Sequence, residues 1–276
     1  MPFLVLVAIL GVGVGILSGL LGVGGGMFMI PLFRLGFHMT ALQTTATSLF
    51  AVVPTSIAGL VSHVRGRTCI PLLGLAAGAA GALTSPVGVL LANASPGIVV
   101  MLMAAVLIGW SAATVLHKVV RELRTPASER AAARRDEPDE GQGEVSDAPE
   151  KPSRAMLLRG VLIGLVTGVL SGYVGLGGGI MMVPLFTSVL GLPMRKAVGT
   201  SLAGVCILAI PGVVQQMMLG NVLVDVGLAI SAGTIPGAII GARFVRKVPD
   251  RLLRIAFGLM LLGLAVSLVL NELLVA

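Results

Sequence analysis

The sequence predicts an all-α polytopic membrane protein, because it is strongly apolar and its apolar residues fall in long runs. Of the 276 residues, 56% are hydrophobic and 11% are charged, whereas soluble domains carry about 25% charged residues. The mean hydropathy is +1.02. A soluble fold of this size could not hide that much apolar surface, and runs of roughly 20 apolar residues indicate transmembrane helices. Soluble enzymes, nucleic-acid-binding proteins and disulfide scaffolds are therefore excluded.

The individual spans follow from apolar runs bounded by charged and turn residues. The first 21 residues carry no basic residue after Met1, so they are interpreted as a membrane helix and not as a signal peptide. Two runs of about 10 to 12 residues are too short to cross a core of about 30 Å and are predicted to be half-helices that return from a glycine break. The predicted spans are 3–21, the short run 27–37, 41–61, 70–92 and 97–117, then 156–175, the short run 179–190, 197–219, 222–243 and 252–271.

Charge is concentrated in one segment between two apolar halves. Of the 31 charged residues, 17 lie between Lys118 and Arg154, and this segment has no apolar period. Such a segment cannot bury surface, so it is predicted to be a disordered charged linker. The predicted organisation is a first membrane repeat at 1–117, the linker at 118–155 and a second membrane repeat at 156–276. The net charge of +7 is thus no evidence for nucleic-acid binding.

Few carboxylates remain outside the linker. They are Asp225, Asp250 and Glu272, and only Asp225 is a candidate for a buried acidic group, although it stands near a helix end. A proton- or cation-driven site usually needs a buried carboxylate. The sequence therefore makes a cation substrate less favoured than an anion.

The two halves repeat each other at a constant offset of 153 residues, without a gap. The segment SGLLGVGGGMFMIPLF, which begins at Ser18, matches SGYVGLGGGIMMVPLF, which begins at Ser171. The same offset pairs Thr47-Ser48-Leu49 with Thr200-Ser201-Leu202, Gly59 with Gly212, Gly74 with Gly227, Gly88 with Gly241, and Pro96 with Pro249. Chance similarity of apolar helices would not keep one register this long, which indicates a duplication.

Loop charges predict that the repeats are inverted. Lys and Arg favour the cytoplasmic side, which places the linker inside the cell. The basic loop His63–Arg67 corresponds to the neutral loop Gln216–Gly220, and the neutral loop Asn93–Pro96 corresponds to the basic loop Arg246–Pro249. Matching sequences with exchanged charge are expected of an inverted-topology repeat. Each half is then a helix–Gly break–half-helix hairpin plus three transmembrane helices.

This arrangement predicts a multi-pass protein of the cell inner membrane with both termini external. Arg34 and His38 lie on the outer side and are minor exceptions to the charge rule. An alternative treats 3–37 as one discontinuous crossing. The two halves would then be parallel, and the basic stretch from Arg243 to Arg254 would face outward.

The glycine breaks are the strongest candidate for a binding site. Three consecutive glycines let the backbone leave helical geometry, and a broken membrane helix is tolerated where it faces protein or a wet cavity. The half-helix that follows directs N–H groups and the positive end of its dipole toward the break, which favours an anion. The alternative is that the glycines only permit close helix packing. The candidate substrate-binding glycines are Gly22, Gly24, Gly25 and Gly26 with Gly175, Gly177, Gly178 and Gly179.

Hydroxyl side chains that flank the breaks or stand early in the next span extend this candidate site. Their O–H groups can bind an oxyanion without carrying charge, and the alternative is back-bonding to a helical carbonyl. The candidate substrate-binding hydroxyls are Ser18, Ser171, Thr47, Ser48, Thr200 and Ser201. Pro31 and Pro184 lie inside the half-helices, where they free a backbone carbonyl and are candidates for gating or for a tolerated kink.

Other polar residues receive structural interpretations. Gln215, Gln216, His63 and His117 lie near helix ends and are expected at the membrane interface. Cys69 and Cys206 have no spacing typical of a metal or redox site and are expected to pack as small apolar residues. The sequence indicates no metal, no cofactor and no catalytic residue.

At the paired G-x-G-G-G and P-L-F segments the sequence resembles the TauE/SafE sulfite exporter family, also called the toluene sulfonate uptake permease family. The similarity covers about 8–118 and 156–272. It implies an integral membrane permease for sulfite or organosulfonates such as sulfoacetate, and its motifs correspond to Gly22–Gly26 and Gly175–Gly179.

These observations together favour a permease for small anions that works by alternating access around the two breaks. Export is slightly favoured, because an inside-negative potential assists an outgoing anion. The alternative is a permease for another small carboxylate or a neutral solute. An intramembrane enzyme and a scaffold are disfavoured, the first because no nucleophile–base pair or metal cluster lies mid-span. The expected partners are the anion and the lipid bilayer, without nucleic acid. The apolar exterior suits a monomer or a homodimer equally.

Overall fold

The computed structural model describes residues 2–124, 152–245 and 248–275, and the regular elements in these ranges are all helical. Eight of the described helices are long and apolar enough to cross a membrane. The protein is therefore an all-α polytopic membrane protein. The helices are α1 (Pro2–Leu21), α2 (Gly26–Pro31), α3 (Ala41–Arg65), α4 (Pro71–Ala94), α5 (Gly97–Arg124), α6 (Arg154–Val174), α7 (Gly179–Val189), α8 (Met194–Met218), α9 (Val224–Phe244) and α10 (Asp250–Val275).

The helix bounds follow the predicted spans closely, and the two short runs are short helices. α2 continues through Pro31 into a π-helical segment, Leu32–Gly36, so together they form the first half-helix. α7 is the second half-helix. α5 extends into the predicted linker, and α6 begins before the predicted end of that linker. The remainder of the predicted linker, 125–151, lies outside the described residues.

In each half, one helix packs along a helix of the other half. α1 packs along α9, and the equivalent pair, α6 and α4, packs in the same way. Glycines permit both contacts: a Cβ at Gly15 would lie 2.7 Å from the Cα of Thr234, and one at Gly164 would lie 2.8 Å from the Cα of Ala77. Gly11 and Gly19 meet successive turns of α9 in ascending order, which shows that α1 and α9 run parallel.

The central pair, α3 and α8, runs antiparallel. Gly199 near the start of α8 faces His63 near the end of α3, whereas Gly212 near the end of α8 faces Leu49 near the start of α3. α3 runs parallel to α9, because the Thr47 and Thr55 side chains of α3 bond to Leu223 and Thr234 in the same order. α1 and α3 therefore share one direction. A single discontinuous crossing at 3–37 would have made them antiparallel.

The core lies around α3 and α8, which are the most deeply buried of the long helices. α5 and α10 pack against each other beside this centre, also antiparallel, since Gly258 faces Leu116 and Gly109 faces Ala265. The outward faces carry exposed leucines, valines and isoleucines, as helices in contact with lipid require. This arrangement places the two half-helices in the interior, where α2 and α7 are almost fully buried.

The helix directions bring the basic residues to one end of the bundle. The residues at this end include Arg65, Arg67, Arg154, Arg159, Arg195, Lys196, Arg243, Arg251 and Arg254. Arg34 and the exposed Asp225 lie at the opposite end. We call the two ends the basic end and the neutral end.

Candidate functional site

The two glycine breaks meet in the middle of the bundle. A Cβ at Gly24 would lie 2.9 Å from Val52 Cγ1 and 3.2 Å from Val205 Cγ1, and these two valines occupy equivalent positions halfway along α3 and α8. The breaks also contact each other. A Cβ at Gly26 would lie 2.8 Å from the Leu176 carbonyl oxygen. The structure thus brings the candidate glycines of both repeats into one place.

Both breaks adopt the same backbone conformation. Gly22, Gly24 and Gly25 have φ values of 71°, 72° and 87°, and the equivalent Gly175, Gly177 and Gly178 have 72°, 73° and 75°. These values lie in the left-handed region, which residues with a Cβ rarely adopt. Gly25 and Gly178 are the N-caps of α2 and α7, and neither helix has a side-chain cap. The N–H groups of a first helical turn have no intrahelical acceptor.

Equivalent serines of the central helices hold the two breaks. The Ser48 hydroxyl of α3 donates to the Gly175 carbonyl oxygen at 2.7 Å, and the Ser201 hydroxyl of α8 donates to the Gly22 carbonyl oxygen at 2.7 Å. Each serine therefore crosses to the break of the other repeat. We call these two hydrogen bonds the serine clamps.

The neighbouring threonines also bind backbone. Thr47 Oγ1 accepts from the N–H of Leu223 at 3.0 Å, and Thr200 Oγ1 accepts from the N–H of Ile70 at 3.0 Å. These N–H groups lie just before α9 and α4, where a helix start leaves donors without partners. In this conformation the two threonines and the two clamp serines, Ser48 and Ser201, therefore have intramolecular partners. Their predicted contact with substrate stays a prediction.

Ser18 and Ser171 differ from the other candidate hydroxyls, because neither Oγ has a hydrogen-bond partner in the part of the chain that the structure describes. Both side chains are buried, at 0% and 2% exposed. Ser18 Oγ would lie 3.5 Å from a Cβ at Gly25, and Ser171 Cβ would lie 3.5 Å from one at Gly178. Each repeat thus places an uncompensated hydroxyl beside the start of its half-helix.

The prolines of the half-helices are both buried, but their surroundings differ. Pro31 ends α2 at the change to π-helical geometry. Pro184 lies inside α7, and its carbonyl oxygen accepts from the Thr187 hydroxyl at 3.0 Å. Their predicted role in gating stays a prediction.

Two residues expected at the interface are instead buried. His63 and Gln216 occupy equivalent positions near the ends of α3 and α8, and each is 1% exposed. His63 bonds to the Gly19 carbonyl oxygen at 3.2 Å through Nε2 and to Thr68 Oγ1 at 2.8 Å through Nδ1. The expectation was wrong because these turns of α3 and α8 are covered by neighbouring helices.

Ser85 is a further buried hydroxyl that the sequence did not single out. It is 0% exposed, and its Oγ has no partner among the described residues. One signal was available in the sequence: the offset of 153 residues pairs Ser85 with Ala238, so a polar group stands in one repeat where the other has a methyl group.

The cysteines form part of the packing. Burial raises the pKa of the Cys69 thiol to about 12, so the reactive thiolate is disfavoured there. The Cys206 thiol donates to Ser56 Oγ at 3.4 Å. In the described residues no three His, Cys, Asp or Glu side chains come together as a metal site would require. Asp225 is exposed, so it contributes no carboxylate to the centre.

Comparison with known proteins gives a consistent result over nearly the whole chain. The family model described as Sulfite exporter TauE/SafE matches residues 7–268. The probable membrane transporter protein YdhB of Bacillus subtilis is 27% identical over 89% of this chain and 91% of its own. The probable membrane transporter protein YunE of the same organism is 24% identical over 98% of each chain. A probable membrane transporter protein of Methanocaldococcus jannaschii is 23% identical over 92% of this chain and 90% of its own. No solved structure matches the chain.

Proposed function

Because the chain belongs to the TauE/SafE sulfite exporter family and is a membrane transporter, we propose that it carries a small anion by alternating access around the two glycine breaks. The observation that carries this proposal is the meeting of two half-helix starts in the bundle centre. Each is preceded by a glycine N-cap and accompanied by a buried serine hydroxyl that has no partner in the described part of the chain. Backbone N–H groups, a helix dipole and a hydroxyl all favour negative charge.

The proposed substrate is sulfite or an organosulfonate such as sulfoacetate. The description of the matching family supports this class. The chemistry of the centre fits it as well, because several acceptor oxygens on one small anion suit several neutral donors. The hypothesis of an intramembrane enzyme gains no support, since the family and its relatives are transporters.

We propose that the halves are inverted repeats and that the basic end is cytoplasmic. The antiparallel α3 and α8 support the inversion, because equivalent helices run in opposite directions when the repeat axis lies in the membrane plane. The basic end supports the orientation through the bias of Lys and Arg toward the cytoplasm. A potential of 100 mV contributes about 2.3 kcal/mol per charge to an anion that leaves the cell, which supports export.

Counterflow of labelled sulfite in proteoliposomes tests the proposed substrate. Sulfoacetate, sulfate, acetate and a neutral sugar serve as competitors at equal concentration. We expect sulfite exchange that sulfoacetate inhibits and acetate does not. Exchange that acetate inhibits equally would favour the carboxylate alternative, and absence of exchange with every sulfur anion would contradict the proposed substrate class.

Substitution of the break glycines tests the proposed site. Gly25→Leu and Gly178→Leu each force a side chain into a left-handed position beside the half-helix start. We expect at least a hundredfold loss of exchange while the protein still inserts, because the displaced N–H groups no longer converge. Gly13→Leu is the matched control, since Gly13 has open space around its Cβ direction. Full exchange by either break variant would contradict the role of the breaks.

A further inference from the structure

Unpartnered polar groups distinguish two lobes of the protein. We define the first lobe as α1, α2, α3 and α9, and the second lobe as α4, α6, α7 and α8. Besides Gln215 Oε1, three positions of the second lobe carry a buried polar atom without a partner among the described residues, namely Ser85 Oγ, Ser171 Oγ and Gln216 Nε2, whereas in the first lobe Ser18 Oγ and Thr44 Oγ1 have none. The equivalent positions of the first lobe hold Ala238, Ser18 and His63, and His63 has partners on both ring nitrogens. At these positions only Ser18 matches the second lobe.

Close contacts connect Ser171 and Ser85 around one region of the second lobe. Ser171 lies beside Gly178, the N-cap of α7, and a Cβ at Gly178 would lie 3.0 Å from Leu208 Cδ2 of α8. One turn further along α8, a Cβ at Gly212 would lie 2.6 Å from Ser85 Oγ. The neighbour of Ser171, Gly172, in turn packs against the backbone of Ser85. Helices α4, α6 and α8 thus surround the two hydroxyls, and Ser171 lies next to the start of α7, a half-helix of 11 residues.

Gln216 continues this polar lining toward the neutral end. It follows Gly212 by one turn of α8, and its Oε1 accepts from Asn221 Nδ2 at 2.8 Å. The same Asn221 amide donates to Asn93 Oδ1 at 2.8 Å. These contacts fix the Gln216 side chain, while its Nε2 has no partner within the ranges that the structure describes. A row of amide groups therefore joins the neutral end to the region of Ser85.

We propose that, in this conformation, the substrate site lies in the second lobe and takes one small oxyanion, with Ser85, Ser171 and the first turn of α7 as donors and Gln216 on the access route from the neutral end. Buried donors without acceptors are unfavourable, and the oxygens of a small oxyanion would supply the missing acceptors for both hydroxyls. This inference rests on the proposed function and adds Ser85 and Gln216 as residues that determine specificity.

The sequence offers a matched pair of variants, because Ser85 and Ala238 are equivalent. Ser85→Ala removes the proposed donor, and Ala238→Ser adds a hydroxyl at the corresponding place of the first lobe. Both variants and the wild-type protein are reconstituted at full length. The half-saturation concentration for sulfite is measured by counterflow, and the melting temperature is measured in detergent with and without sulfite.

We expect Ser85→Ala to raise the half-saturation concentration about tenfold, since a hydrogen bond to a charged group is lost. Its melting temperature without sulfite should equal or exceed that of the wild type, because an uncompensated hydroxyl has been removed, and sulfite should raise it less. Ala238→Ser should leave the half-saturation concentration unchanged. Gln216→Leu should slow counterflow started from the side of the neutral end.

Two results would overturn the inference. An unchanged half-saturation concentration in Ser85→Ala would show that this hydroxyl does not bind substrate, and a clearly lower melting temperature without sulfite would show that it is structural. Either result with an active wild type leaves the proposed function intact. A wild type that neither exchanges sulfite nor is stabilised by it would instead overturn both proposals.

Discussion

The two lobes are alike where they hold the glycine breaks and differ toward the ends of the bundle. Ser48 and Ser201 donate to the opposite breaks at the same distance of 2.7 Å. By contrast, His63 bonds to the Gly19 carbonyl in the first lobe, whereas the equivalent Gln216 bonds to Asn221 in the second. Different side chains thus lie near the two ends of the bundle, around one common centre.

This difference indicates which parts of the duplicated chain the fold itself requires. Backbone at the breaks must be fixed in both halves, because its carbonyl and N–H groups lie in the bundle interior and need partners. The helix ends lie closer to water, so different side chains and hydrogen bonds are tolerated there.

The largest expected effect concerns the packing that both lobes share. Gly19→Val and Gly172→Val place a side chain against the backbone of Ala238 and of Ser85 respectively. Because backbone cannot move aside, each variant should lose about 3 kcal/mol or more of stability. The yield of folded, monodisperse protein in detergent measures this loss.

Gly13→Val is the control for these variants. Gly13 has open space around it, and its equivalent in the second repeat is the exposed Val166. Its yield should equal that of the wild type. A strong loss in only one of Gly19→Val and Gly172→Val would show that the two helix pairs are not equivalent.

The serine clamps should give a smaller and symmetrical effect. Ser48→Ala and Ser201→Ala each remove the donor to a buried carbonyl oxygen, which is expected to cost about 1 to 3 kcal/mol. The melting temperatures of the two variants should fall by similar amounts, and the double variant should be close to additive. Ser267→Ala, at a half-buried hydroxyl that bonds only within α10, serves as the control. Unequal losses would show that the two glycine breaks are held with different strength.

The smallest effect is expected at the basic end. His63→Gln introduces the residue that the second repeat carries at this position and keeps an amide donor for the Gly19 carbonyl. We expect a change below about 1 kcal/mol in stability, since one hydrogen bond is replaced by another. Thermal unfolding in detergent measures it, with Gln216→His as the reciprocal variant. A loss as large as that of the serine clamps would show that His63 is indispensable to the first lobe.

Much of the fold was predictable because the membrane constrains the chain locally. Span length follows from bilayer thickness, and a glycine triplet stands at the start of each of the two short helices. The constant offset of 153 residues also made the pairing of Ser18 with Ser171 visible without coordinates. The same local signals misplaced His63 and Gln216, because nearness to a helix end does not reveal whether a neighbouring helix covers that turn.

The membrane environment, the duplication and the positions of the breaks were predictable from the sequence alone, since each depends on residues that are near one another along the chain. Three features became visible only in the packed structure: α1 packs on α9 and α4 on α6, each serine reaches across to the other repeat, and Ser85 is buried without a partner among the described residues. These features depend on which helices pack together. Because the helices are similarly apolar, their sequences do not reveal which of them are partners. Whether a hydroxyl finds an acceptor is settled by helices far away in sequence, so it becomes visible only when they are packed together.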